Sequence, residues 1–198
     1  MTMSEEQLAK KLIIKPLDDR RVIERLRVID KYHFPVKYTD KYYEALQLHV
    51  YNQLAFFNEA LVGSCTCRFE RINEGEEPAT FRLYVMTIGV LAPYRRLHIG
   101  TKLMKAVIDA VGAEQNVKID HIALHVQVGS KAHDFYQSFG FDVKEEVKDY
   151  YTELDVNDAL LLTKAIPQPY LKKSATKVSK KEKAEKKDEK KEKDEKKK

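Results

Sequence analysis

Long apolar runs are missing from this 198-residue chain, and nothing in it approaches the roughly 20 consecutive apolar residues that a membrane-crossing helix needs. The opening MTMSEEQLAKK carries neither the apolar core of a signal peptide nor an arginine-rich transit pattern, so no targeting segment is expected there. No internal repeats occur. Cysteine is scarce: the chain has two, Cys65 and Cys67, set two apart in an apparent strand. Same-face strand neighbours lie about 6.5–7 Å apart, at or beyond the reach of a disulfide. A metal centre would need further ligands, so no metal is expected and the pair reads as reduced thiols of a cytoplasmic protein, with a nuclear pool compatible.

Charge is present but unevenly placed. Of 36 Lys and Arg residues, 14 fall in Lys172–Lys198 with 7 of the 31 acidic residues; residues 1–171 therefore hold 22 basic and 24 acidic side chains. The body is nearly neutral, and the basic balance belongs to a tail without aromatics that cannot build a core. Two regions follow: a globular domain over 1–171 and a Lys/Glu-rich tail over 172–198, disordered or a solvated helix.

The most informative stretch is Phe81–Val111. Phe81–Val90 is β-branched and aromatic, with Tyr84, Met86 and Ile88 on one face and Leu83, Val85 and Thr87 on the other. Pro93 and Tyr94-Arg95-Arg96 break the strand, and from Thr101 apolar residues recur at helical spacing through Val111. A strand, a basic turn and a helix start suit an anion, and Gly100 would admit a phosphate close to the backbone. Many βα units share that pattern.

The remaining elements form a consistent series. Leu12–Ile14 reads as an edge strand, and Asp18 or Asp19 caps a helix whose inner face is Val22, Ile23, Leu26 and Ile29. Pro35 ends that helix, and Thr39 or Asp40 caps a second. Gln53–Phe57 and Ala60–Phe69 are strands around an Asn58-Glu59 turn. Ile119–Val128 alternates, with Ala123, His125 and Gln127 sharing a face; Ser130 caps a helix ended by Gly140; Phe141–Val147 and Ala159–Thr163 are final strands. The order β-α-α-β-β-β-α-β-α-β-β predicts a mixed α/β sheet with a central βαβ crossover.

LAPYRRLHIGTKLM resembles the acetyl-CoA loop of the GNAT acetyltransferases, Arg/Gln-x-x-Gly-x-Gly/Ala, with Arg95, His98 and Gly100 on that frame. FPVKY, LHVQ, FYQSFGF and DYY extend the likeness to the NatE class of N-terminal acetyltransferases, San type, over Leu12–Pro167. The resemblance implies the GNAT acyl-CoA acyltransferase fold, with acetyl-CoA as co-substrate bound by the βαβ unit. It also implies acetylation of the α-amine of nascent chains that begin with methionine and an apolar or permissive residue. Implied partners are the helical-repeat scaffold and catalytic subunit of the NatA complex, and the ribosome.

His125 has the residue type of a general base, although a lone strand histidine also suits a structural role. The resemblance assigns His125 and Tyr84 to catalysis through water, and Tyr136, which equally fits a packing face, to the coenzyme A thiolate. It assigns the co-substrate to Ile88, Gly89, Val90, Arg95, Arg96, Leu97, His98, Ile99, Gly100, Thr101, Gly129, Ser130 and Tyr136, with an oxyanion-binding backbone N–H near Ile88, where strands of this family bulge. It assigns the peptide to Phe34, Pro35, Val36, Tyr38, Arg68, Met86, Tyr150, Tyr151 and Leu154. His98 stands where the family has glycine and Gly129 where it commonly has asparagine. A catalytically weak or inactive auxiliary subunit of the NatA complex is therefore one competing reading, and a lysine or small-amine acetyltransferase another.

Overall fold

The computed structural model describes residues 11–34, 37–46, 51–152 and 154–172. Seven strands make one sheet: β1 (Leu12–Pro16), β2 (Gln53–Phe57), β3 (Ala60–Arg71), β4 (Thr80–Val90), β5 (Lys118–Gln127), β6 (Asp142–Val147) and β7 (Ala159–Ala165). Their order is β1-β2-β3-β4-β5-β7-β6. Among the described residues four α-helices accompany them: α1 (Ile23–His33), α2 (Asp40–Leu46), α3 (Ile99–Gly112) and α4 (Ala132–Gln137). The expected order of elements is therefore present. β4 and β5 are parallel, and every other pairing in the sheet is antiparallel. A parallel pair needs a crossover, which α3 supplies.

Local chemistry accounts for the boundaries. Asn58 and Glu59 both take positive φ, 46° and 68°, as a two-residue hairpin turn between β2 and β3 requires. The Asp19 carboxylate accepts from the Arg21 N–H at 2.9 Å and caps a short 3-10 turn leading into α1. Ile99, Leu103, Met104, Val107 and Val111 are buried at helical spacing, so α3 starts two residues before the expected Thr101. Ser130 Oγ accepts from the Ala132 N–H at 3.2 Å ahead of α4, and Gly140, at φ 77°, follows it.

The sheet separates two cores. On one side α3 and α4 cover Leu83, Val85, Ile122, Leu124 and Val126 together with the buried free thiols Cys65 and Cys67. On the other, α1 and α2 pack Leu26, Ile29, Tyr43 and Leu46 on Leu54 and Leu61.

One expectation needs correcting. Strict alternation would keep Ile88 with Tyr84 and Met86, but Thr66 pairs Thr87 while Cys67 pairs Val85, leaving Met86 as an extra residue in β4. A bulge of one residue exchanges the faces beyond it. Ile88 and Val90 thus join the α3 side, whereas Thr87 faces α2, its Oγ1 2.6 Å from Thr66 Oγ1, which lies 2.9 Å from the Tyr42 hydroxyl. The bulge falls at Met86, two residues before the Ile88 position expected from the resemblance.

Asp30, on the inner face of α1, is 1% exposed. Its Oδ2 accepts from the Tyr43 hydroxyl at 3.2 Å, and its Oδ1 is buried without a partner. Burial pushes its pKa up to about 6, against smaller opposing effects of Tyr43 and His33. A raised carboxyl pKa means the folded state holds the proton more tightly than the unfolded one. The contribution of Asp30 to stability is therefore greatest below about pH 4 and is lost as pH rises through about 4 to 6, by roughly 2–3 kcal/mol. Asp30→Asn keeps an acceptor for Tyr43 and removes this dependence. Urea unfolding should show the variant gaining about 2 kcal/mol on wild type between pH 4.5 and pH 8; parallel pH profiles would refute the buried charge.

Candidate active site

The site originates where two strands stop pairing. The β4–β5 ladder runs from Thr80 and Lys118 to Tyr84 and Ala123. Beyond it β4 continues beside β3 alone and β5 beside β7 alone, so a cleft of about 270 Å³ opens through the sheet. Ile88, Val126, Ser130 and Tyr136 line it on the α3 side, and Phe34, Tyr38, Met86, Tyr151 and Leu154 on the α1 side. An adjoining space of about 310 Å³ is lined by Tyr38, Tyr42, Arg68, Tyr84, Met86, His125, Tyr150 and Tyr151.

Tyr84, the last paired residue of β4, and His125, two residues beyond the last paired residue of β5, are brought into direct contact. Tyr84 Oη lies 2.8 Å from His125 Nδ1 and 3.0 Å from Tyr150 Oη. The Tyr150 ring stacks on His125, centroids 4.0 Å apart and 12° from parallel, and the Arg68 guanidinium sits 4.7 Å over the Tyr84 ring. Burial raises the Tyr84 pKa well above the usual phenol range, with the Tyr150 hydroxyl reinforcing it. Burial also lowers the His125 pKa, helped by the Arg82 charge. Both groups are thereby held neutral, the state in which an imidazole can accept a proton.

Tyr136 reaches the cleft from α4 while its ring packs on Phe135 and Phe141. Burial keeps its hydroxyl protonated, as a group that donates to a leaving thiolate must be. Tyr136 thus both packs, as one sequence reading expects, and lines the cleft.

The basic turn forms a second concavity of about 280 Å³, lined by Val90, Arg95, Arg96, His98, Ile99, Gly100, Thr101 and Phe135. His98, at φ 55°, is the N-cap of α3, and Arg96 is also left-handed at 63°. This arrangement presents the helix N-terminus to an anion. Arg95 Nε donates to the Val90 carbonyl at 3.0 Å, which ties the turn to the strand end. Leu97 instead packs on the core. Gly89 faces α1: a Cβ there would lie 3.2 Å from His33 Cδ2 and 3.3 Å from Phe34 Cζ. Gly129, at φ 75°, occupies an open turn, and glycine and asparagine are the residues best suited to that conformation. Pro35 and Val36 lie outside the described residues.

The chain matches the Acetyltransferase (GNAT) family over residues 20–141. It belongs to that family. It is 40% identical to N-alpha-acetyltransferase 50 of Danio rerio over 149 residues, 74% of this chain and 84% of the relative. It is 36% identical to the probable N-acetyltransferase san of Drosophila melanogaster over 146 residues, 73% and 76%. Among solved structures it superposes on Arabidopsis thaliana Naa50, in complex with the bisubstrate analogue CoA-Ac-MVNAL, with a TM-score of 0.68 and 31% identity. That alignment covers 79% of this chain and 99% of the other. The GNAT fold and the resemblance to the NatE class, San type, expected from the motifs are thus borne out.

Sequence reasoning overlooked Tyr42, Gln127, Ala132 and Phe135 as lining residues. Tyr42 had a signal, since it lies four residues after Tyr38 and their rings stack at 4.3 Å. Gln127 and Ala132 are placed by the parting of the strands, which no local pattern announces, and Phe135 lies instead at the basic turn beside Gly100.

His98 takes a left-handed backbone conformation at the start of α3, so the roughly 1–2 kcal/mol cost of a Cβ there is a cost to the folded state. His98→Gly should therefore leave the acetyl-CoA dissociation constant within about threefold in calorimetry and raise the thermal midpoint slightly, the relief being partly offset by glycine's unfolded-state entropy. Tenfold tighter binding by the variant would instead show that the imidazole obstructs the phosphates.

Proposed function

We propose that the protein transfers the acetyl group of acetyl-CoA to the α-amine of polypeptides whose first residue is methionine, followed by an apolar or permissive residue. The carrying observation is the neutral Tyr84–His125 pair at the point where the cleft crosses the sheet. The relatives' names and the CoA-Ac-MVNAL analogue held by the Arabidopsis structure, whose peptide begins Met-Val, support the reading.

In this reading acetyl-CoA supplies an activated thioester and lies on the α3 side, its phosphates at the turn of Arg95, Arg96, His98 and Gly100. The residues of this chain do the remainder. Phe34, Tyr38, Met86 and Leu154 enclose the methionine side chain, for which apolar and aromatic walls are suited. Tyr84 and His125 take the proton from the α-amine. A strand N–H at the bulge stabilises the oxyanion, and the Tyr136 hydroxyl stabilises the departing thiolate by donating a hydrogen bond to it.

Complete burial of the methionine side chain is worth about 1.5–3 kcal/mol, so peptides beginning Met-Leu should be acetylated at least tenfold faster than peptides beginning Ser or Asp. At pH 7 His125→Ala and Tyr84→Phe should each lower the single-turnover rate by about tenfold or more. Equal rates across the peptide panel would defeat the pocket assignment, and unchanged single-turnover rates would defeat the catalytic one.

We further propose that the domain docks on the NatA scaffold beside its catalytic subunit and works in the cytoplasm at the ribosome, where the basic tail adds sequence-independent attraction to RNA phosphates. Residues 173–198 lie outside the described residues. Deleting Lys172–Lys198 should weaken ribosome binding and flatten its salt dependence while leaving peptide acetylation unchanged; identical salt curves would exclude the arm.

A further inference from the structure

Tyr84 is the obvious acceptor for the amine proton, yet its surroundings argue against direct transfer. It is 8% exposed, and its oxygen already lies between His125 Nδ1 at 2.8 Å and Tyr150 Oη at 3.0 Å. A phenol oxygen with two short partners has little room for a third. Tyr150 is the accessible member of the row, 41% exposed in the same space as His125 and Met86.

Its position is built. Asp149, at φ 52°, turns the chain out of β6, and the Asp158 carboxylate fixes that turn by accepting from the Asp149 N–H at 3.0 Å and from Lys148 Nζ at 2.8 Å. The Tyr151 N–H donates to the Asn157 carbonyl at 2.8 Å on the other side. Tyr150 is thus held both as a ring, stacked on His125, and as a hydroxyl, bonded to Tyr84.

We propose that Tyr150 is the outer member of a proton relay, Tyr150–Tyr84–His125, that carries the substrate's ammonium proton to His125 Nδ1. An N–H bond of the ammonium breaks as an O–H bond forms at Tyr150. The original Tyr150 O–H breaks as one forms at Tyr84, and the original Tyr84 O–H breaks as an N–H forms at His125 Nδ1. The products are a neutral amine, an imidazolium and two intact phenols. No phenolate forms, which suits the Tyr84 hydroxyl, whose buried surroundings disfavour ionisation. The imidazolium returns its proton to water by the reverse path after product release. The charged groups around the row are Arg68 and Glu70 of β3, Arg82 of β4 and Glu145 of β6. Arg68 and Arg82 both pair with Glu70, leaving the local balance near neutral.

This inference rests on the N-terminal acetyltransferase reading and adds Tyr150, which that reading otherwise treats as peptide wall, to the acid–base machinery. Tyr150→Phe keeps the ring and cuts the relay. A free α-amine titrates at about 7.7–8.0, so at pH 7 about a tenth to a fifth is neutral and at pH 9 nearly all. The kcat/KM ratio of wild type to Tyr150→Phe on a Met-Leu peptide should therefore be about tenfold at pH 7 and close to one at pH 9. At pH 7 the loss should lie in kcat. A ratio that does not change with pH, or a loss confined to KM, would overturn the relay and leave Tyr150 a peptide contact. A wild type inactive on the peptide at both pH values would overturn the N-terminal acetyltransferase reading and the relay together.

Discussion

Two parallel strands that pair for only part of their length give this protein its site. β4 and β5 must pair near Thr80–Tyr84 and Lys118–Ala123, because Leu83 and Ile122 belong to one close-packed core. They part immediately afterwards, and the bulge at Met86 marks the place. Tyr84, Met86 and His125 lie within a few residues of that divergence. Tyr84 and His125 project from the two sides of the opening, α3 begins beyond the end of one strand, and α4 follows the end of the other.

Burial then selects the chemistry. The same desolvation raises the phenol of Tyr84 and lowers the imidazole of His125, leaving a neutral hydrogen-bonded pair beside ion-paired arginines. In water such residues would be unremarkable; in a half-closed cleft the uncharged forms dominate, and uncharged acceptors are what removal of a proton from an amine requires. Asp30 shows the same physics beneath the α1 side of the cleft, where a carboxylate with one unpartnered oxygen sits against Tyr43 and costs stability once ionised. Thr66 and Thr87 are equally buried in that region, but they and the half-buried Tyr42 satisfy one another, and so stitch α2 to the bulged strand.

The departures from the family's loop look different once their backbone is known. His98 and Gly129 both sit at positive φ, so each preserves the conformation its position demands. For Gly129 the change from asparagine exchanges one left-handed-tolerant residue for another. For His98 it places a side chain on a conformation that glycine would adopt more cheaply, at a cost borne in folding.

The sequence by itself determined the kinds and order of elements, because periods of two and 3.6 are local properties of a chain. The hairpin at Asn58-Glu59, the apolar face of α3 and the stop at Gly140 needed no tertiary information. Family motifs also named Tyr84, His125, Tyr136 and the basic turn. Tertiary structure alone decided where β4 and β5 separate, which faces Thr87 and Ile88 present beyond the bulge, and that Asp30 is buried. It also decided that Tyr150 bonds Tyr84 while stacking on His125, across 66 and 25 positions of chain. Those outcomes depend on register slips and contacts between distant segments, set by the packing of two cores against one sheet, and no local periodicity encodes them.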